Sequence, residues 1–275
     1  MSDLSILFWN MHKKDLSETL LQILEQHAPT VVLLCEYGGS EGQLLTTVNR
    51  KSIRYRMDDS LGVSRMIALT TLRKSGLKRL RDEDRYSFWR VGNGQNRITL
   101  CGLHLHSGPN HDQKVRNQLL PRIRPDLATV ENREGHDRTV LIGDMNLNPF
   151  DDMLMSSEGL HAISSLNEAK RGSRQVLRQE RPYFYNPMWS HLGDRPIEPS
   201  GTYFWEKGSA MGYGWNMLDQ TLFRPSVMDL YEDFEVEILT HAGDNSLVDV
   251  RGRPDSKSAS DHLPIRIHFF EKASP

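Results

Sequence analysis

No run of eighteen apolar residues occurs in this 275-residue chain, so no segment is suited to cross a bilayer as a helix. The opening stretch, MSDLSILFWNMHKKD, lacks a basic leader and carries too short an apolar run for a secretory signal. Cysteine is scarce. Cys35 and Cys101 each lie inside an apolar run, which argues against a disulfide scaffold and for buried thiols in a reducing compartment. A cytoplasmic location, with no membrane partner, is therefore expected. Closely spaced Cys/His pairs are missing, which disfavours a structural zinc site. An excess of basic charge is missing too: 34 basic residues face 36 acidic ones, a net charge of −2. That balance disfavours tight binding of nucleic acid by charge alone and leaves room for an acidic metal site with a local basic rim. There is no internal repeat and no low-complexity tract. What remains is ordinary globular composition, 37% hydrophobic and 25% charged, at a length that suits one large core.

Short apolar runs alternate with amphipathic stretches through the first half. Ser5–Trp9 and Val31–Cys35 read as buried strands, with a helix over Leu16–His27 between them and a short helix near Glu41–Asn49. Arg65–Leu72, Tyr86–Val91 and Arg97–Leu105 read as three strands of one antiparallel run, with Gly92-Asn93-Gly94 as the turn between the last two. Gln113–Ile123 is expected to be helical and to stop or kink around Pro121 and Pro125, before a second helical piece near Asp126–Arg133. Thr139–Ile142, Met217–Phe223, Phe234–Leu239 and Leu263–Phe270 are further strands, whereas 171–215 has no sustained period and reads as long surface loops. The fold class expected is α/β: two layers of mostly antiparallel sheet flanked by helices, in a single domain.

Polar side chains recur at the ends of these buried strands. Asn10 ends ILFWN, Glu36 ends VVLLCE, and His104 lies near the end of ITLCGLHLHS. Asp144 and Asn146 follow in VLIGDMN, Asp219 lies in NMLDQTLF, and Asp261 and His262 open SDHLPI. One such residue is ordinarily a turn residue or a helix cap. An ordered series of them at strand ends can gather on one edge of a sandwich.

This ordered set resembles the endonuclease/exonuclease/phosphatase (DNase I-like) family, from residue 6 to about residue 268, with GDMN followed by SDH as its most specific pair. The resemblance implies a metal-dependent phosphodiesterase over residues 1–275, with a variable loop region at about 150–215. A nuclease or endonuclease acting on DNA, or on RNA, is the leading form. A phosphodiesterase or phosphatase for a small nucleotide or inositol phosphate is the alternative, and a binding module that has lost catalysis the third. Hydrolysis of a phosphodiester needs a charge-neutralising ion, and hard oxygen ligands favour Mg²⁺ or Mn²⁺. By resemblance Glu36 is the first metal ligand, with Asn10 and Asp261 completing or neighbouring the site. Asp144 is implied to activate the attacking water and Asn146 to bind a phosphate oxygen. His262, held by Asp219, and His104 are implied to contact the phosphate. In the abasic-site repair branch of the family an Asp stands two residues after the first Asn; this chain has His12 there, which speaks against that specialisation and reads as a surface histidine.

Substrate contacts are expected from His106 and from the Arg/aromatic region. Arg171, Arg174 and Arg178 lie three and four residues apart, the spacing of a helix face, and Trp189 is a candidate for stacking on a base. Tyr203, Phe204 and Trp205 read instead as strand core. Lys114, Arg116, Arg122 and Arg124 form a second basic group, of which Arg116 is the candidate phosphate contact and a solvated helix face the plainer reading.

Overall fold

In the computed structural model residues 2–58, 66–106, 113–194, 199–206 and 214–272 are described, with the side chains of 113–121 excepted. Two large sheets face each other. The first has the strand order β16 (Tyr231–Ile238), β19 (Ile265–Glu271), β1 (Leu4–Lys14), β2 (Val31–Tyr37), β4 (Met66–Thr70) and β3 (Arg56–Met57). The second runs β5 (Leu77–Asp82), β6 (Tyr86–Val91), β7 (Ile98–His104), β8 (Thr139–Asp144), β15 (Asp219–Phe223), β12 (Phe184–Tyr185) and β9 (Ala162–Ile163). Three small hairpins complete the strands: β10 (Ser173–Val176) with β11 (Gln179–Pro182), β13 (Tyr203–Trp205) with β14 (Gly214–Asn216), and β17 (His241–Ala242) with β18 (Asn245–Ser246).

Each sheet has a parallel pair at its centre, joined by a crossover helix, and the second sheet adds a short parallel pair, β9 with β12, at its edge. β1 passes through α1 (Ser17–His27) to β2, and β7 passes to β8 by way of α3 (Gln113–Glu134). Strands covered on both faces need no alternation of polar and apolar residues, so β1 is buried without a break from Leu4 to Met11. Phe8 and Leu33 of the first sheet share one continuous core with Trp89, Leu100, Val140 and Phe223 of the second, and the core extends past Trp9 and Leu34 to Leu20 and Leu24 of α1. A second core lies on the outer side of the second sheet, where Ile123, Leu127 and Val130 of α3 cover Phe88, Cys101, Leu141 and Leu222. The short helices α2 (Glu41–Val48), α4 (Asp152–Met155) and α5 (Leu166–Ala169) fill the edges. Both cysteines are free and buried, and burial pushes their thiols well above the usual range. No described helix is long and apolar enough to cross a membrane.

Several sequence expectations are corrected by the pairing. Residues 66–70 do not join the antiparallel run with 86–91. They pair with β2 in the first sheet, while β5 takes the place beside β6. β5 was invisible to pattern because its segment, LKRLRD, buries little beyond Leu77. The helix after His104 neither stops nor divides at Pro121 and Pro125; α3 runs through both. Packing of Ile123, Leu127 and Val130 against the sheet outweighs the hydrogen bonds the prolines remove. Arg174 and Arg178 lie on the β10–β11 hairpin, not on a helix face, and Tyr203–Trp205 is a partly exposed strand rather than core.

Candidate active site

The two central parallel pairs end at the same edge of the sandwich. β1 and β2 bring Asn10 and Glu36 there, and β7 and β8 bring His104 and Asp144, which are register partners. Antiparallel neighbours present their beginnings at that edge. Asp219 opens β15 opposite Asp144, and Asp261 and His262 precede β19, whose Ile265 pairs with Phe8. Strand polarity thus gathers residues as far apart as Ser260 and Asn10, 250 positions from one another.

Asp144 sits at the centre and is 1% exposed. Asn10 Nδ2 donates to its Oδ2 at 3.0 Å, and the Asn146 backbone N–H donates to its Oδ1 at 2.9 Å. His104 Nε2 lies 4.0 Å from Oδ2. Burial pushes the Asp144 carboxyl up to about 6, with the neighbouring Asp219 adding to the rise and the imidazoles of His262 and His104 opposing it. The close approach of β7 explains the glycine of the GDMN motif: a Cβ on Gly143 would stand 2.0 Å from the Leu103 carbonyl oxygen.

His262 and Asp219 form a buried pair, with Nδ1 of the ring 2.8 Å from Oδ2. Burial alone would lower the imidazole pKa, but the carboxylates of Asp219, Asp144 and Asp261 outweigh it and lift it to about 10. Nδ1 therefore carries a proton toward Asp219. Asp219 Oδ1 is buried without a hydrogen-bond partner. The segment bearing His262 is stapled in place: its N–H donates to Ser260 Oγ at 3.1 Å, Ser260 Oγ donates to the Asn10 carbonyl at 2.6 Å, and Trp9 Nε1 donates to the His262 carbonyl at 3.0 Å. Thr202 Oγ1 accepts from the Asp219 N–H, and the Tyr203 ring packs on His262 with centroids 4.8 Å apart.

Glu36 stands at the mouth. Its Oε1 is 3.4 Å from His104 Nε2, and that hydrogen bond holds its carboxyl below the usual range against the opposing effect of burial. Glu36, Asn146 and His12 adopt φ near 50°, a left-handed conformation costing roughly 1 kcal/mol for a residue with a Cβ. Such backbone outliers cluster where a side chain must be aimed. His12 is exposed, as a surface histidine, and it also adjoins the site: its Nδ1 lies 3.1 Å from Asp261 Oδ1, and its N–H donates to Asn10 Oδ1.

Two donor groups could hold a cation. Among the described residues Asp144, Asp219 and His262 offer atoms within 4.8 Å of one another. The Nδ1 of His262 is occupied by Asp219, however, and a protonated ring is a poor ligand. The Glu36 edge fits better. It offers oxygen atoms and is partly exposed, and among the described ion pairs Glu36 and Asp261 are each joined to an imidazole.

The other expected contacts are not gathered here. Arg174 and Arg178 belong to the hairpin rooted at Arg181 and His161, beyond the far end of β15. Trp189 lies half-buried on the turn Pro187–His191 beside β15, with its indole N–H enclosed and without an acceptor. Asn146 Nδ2 donates to the Leu105 carbonyl, leaving one N–H of the amide for a ligand. His106 is half-buried just past β7. The Arg116 side chain lies outside the described residues. Sequence reading missed Ser260, Thr202, Tyr203 and Asn148; Asn148 ties the two halves of this edge by bonding Asn216 and the Met217 N–H. Ser260 opens the SDH motif itself and Asn148 follows Asn146 by two residues, so both could have been suspected, whereas Thr202 and Tyr203 carry no local signal.

No family model matches the chain, and no curated protein matches it. Solved structures do. TDP2 from D. rerio in complex with a single-strand DNA product superposes with a TM-score of 0.56 at 18% identity, covering 98% of this chain and 99% of that one. ANGEL2, a 2′,3′-cyclic phosphatase, in complex with adenosine-2′,3′-vanadate gives 0.58 at 14% identity, covering 98% and 95%. The endonuclease domain of TRAS1, a telomere-specific non-LTR retrotransposon, gives 0.51 at 14% identity, covering 98% and 100%. At such identities the likeness concerns the fold.

Proposed function

We propose that this chain, whose fold is that of the DNase I-like endonuclease/exonuclease/phosphatase proteins, is a divalent-metal-dependent phosphodiester hydrolase acting on nucleic acid in the cytoplasm. The observation that carries the reading is Asp144, buried and aimed by Asn10 and Asn146 beside a protonated His262. Mg²⁺ or Mn²⁺ held by Glu36, with Asn10 and Asp261 adjoining, would neutralise phosphate charge and stabilise the leaving oxygen. Asp144, ionised above about pH 6, accepts the proton of the attacking water. Asn10 and the Asn146 N–H fix the direction of that carboxylate. His262 turns its Nε2–H to a phosphate oxygen, while Asp219 keeps the ring charged and oriented. His104 lies between Glu36 and Asp144 and adds a second imidazole donor to the phosphate.

Nucleic acid is favoured over a small phosphodiester by the aromatic surface beside His262. Tyr203 and Trp205 lie nearly parallel, 14° apart, and Trp205 is 43% exposed. Such faces stack on bases without regard to sequence. The TDP2 structure with a single-strand DNA product has the same fold.

The test is cleavage of plasmid DNA, single-stranded DNA, RNA and a bis-phosphodiester chromogen with Mg²⁺ or Mn²⁺, using EDTA and the Glu36→Ala and His262→Ala proteins as controls. Polymer cleavage lost in all three controls is expected. Turnover of small substrates alone would move the assignment to a nucleotide phosphodiesterase, and no turnover by folded protein would refute the enzyme.

A further inference from the structure

A second cleft, of about 530 Å³, opens on the outer side of the second sheet next to α3. Arg124 of α3, His161, Arg181 of β11 and Arg224 line it. Asp219 opens β15 and Arg224 follows its last residue, so the cleft lies about 16 Å along the sheet from the Asp144 cluster. It is a separate site.

The polar groups in it are unequally satisfied. Arg224 is fully engaged: Nε and Nη2 reach Glu131 at 3.1 and 3.3 Å, Nη1 donates to the Tyr183 carbonyl at 3.0 Å, and the guanidinium covers Phe184 at 4.0 Å. Glu131 also accepts from the Thr139 hydroxyl, so this pair forms a neutral floor. Arg124 is different. It donates to the Ser157 carbonyl at 2.8 Å, and no carboxylate pairs with it among the described ion pairs. Arg181 Nη2 reaches Glu158 at 2.8 Å, yet its Nε is enclosed without an acceptor. His161 is 3% exposed, its Nδ1 lies 3.1 Å from the Arg181 carbonyl, and its Nε2 is enclosed without a partner. The remaining carboxylates, Glu158 and Glu180, stand exposed on the rim. Arg124, Arg181 and His161 thus line the cleft, while Glu158 and Glu180 stand at its exposed rim. Buried polar atoms are normally satisfied, so two enclosed nitrogens without partners, on side chains that line a cleft with a guanidinium bound to no carboxylate among the described ion pairs, point to a site that a ligand completes.

We propose that this cleft binds a terminal phosphate monoester. Arg124 and Arg181 supply donors to the phosphoryl oxygens. With Nδ1–H of His161 donating to the Arg181 carbonyl, the bare Nε2 accepts the proton that a monoester monoanion carries and a phosphodiester lacks. Leu127, Leu160 and Pro182 provide an apolar wall for the group attached to the phosphate. The volume suits a nucleotide-sized ligand. A free nucleotide and the 5′-phosphorylated end of a strand share this chemistry.

Calorimetric titration of the full chain in EDTA separates these sources. The ligands are AMP, adenosine, and a short oligonucleotide with and without a 5′-phosphate. Binding of AMP, of the phosphorylated strand, or of both is expected, with adenosine and the 5′-hydroxyl strand inert. Arg124→Gln and His161→Phe should each weaken that binding roughly ten- to a hundredfold, the effect of losing one charge-assisted hydrogen bond. Hydrolysis of the chromogen should be unchanged in both. Arg124 is half-buried at the cleft wall, so its variant tests the site even where His161→Phe fails to fold. The proposal is overturned by binding that ignores the phosphate, by binding that survives Arg124→Gln, or by no binding of either phosphorylated ligand.

Discussion

Replacing Asp219 by Asn removes the charge that holds His262 cationic while keeping the size of the side chain. His262 rises from the ordinary 6.5 to about 10 against the opposing effect of burial. That rise corresponds to ~5 kcal/mol of preference for the protonated ring, and Asp219, 2.8 Å from Nδ1, is the foremost favourable contributor. With an amide in its place burial prevails, and the imidazole pKa falls toward or below neutrality. The ring then offers a phosphate no charge at pH 7 and can settle in the wrong tautomer. Loss of an orienting carboxylate behind a catalytic imidazole costs roughly 10³- to 10⁴-fold in kcat. The assay is chromogen hydrolysis under saturating Mn²⁺, paired with NMR titration of labelled His262 in metal-free protein. A variant within threefold of the parent whose His262 stays cationic at neutral pH would refute the reasoning.

Three further outcomes follow from the same geometry. Hydrolysis should climb through about pH 6 as Asp144 ionises and decline near 10 as His262 loses its proton; a flat profile between pH 5 and 7 would remove Asp144 as the base. Glu36→Gln should weaken Mn²⁺ binding at least about tenfold and lower kcat about 10²-fold. Unchanged Mn²⁺ affinity in calorimetry would shift the cation to the Asp144–Asp219–His262 group. Gly143→Ala should cost about 1–3 kcal/mol, because the new Cβ meets the Leu103 carbonyl, and should depress activity by displacing Asp144; an unaltered Tm would contradict the strand geometry.

Local pattern carried much of this molecule. Apolar runs bounded by polar residues located β1, β2, β8 and β15, and the polar residue at each strand end, from Asn10 to His262, was readable because a buried strand must change character where it reaches the edge. Which strands pair was not readable. Residues 66–70 joined the first sheet and LKRLRD the second because hydrogen-bonding partners are chosen by the packing of the whole sandwich. The prolines of α3 gave a misleading stop, since the helix draws its stability from the sheet beneath it. Tyr203 against His262 and Ser260 as the staple to Asn10 are contacts between distant segments, and Arg124 and His161 come from distant segments to line one cleft. Sequence determined which side chains were available for chemistry. The polarity and register of the strands decided which of them meet, because those depend on the burial of both sheets at once and not on any one segment.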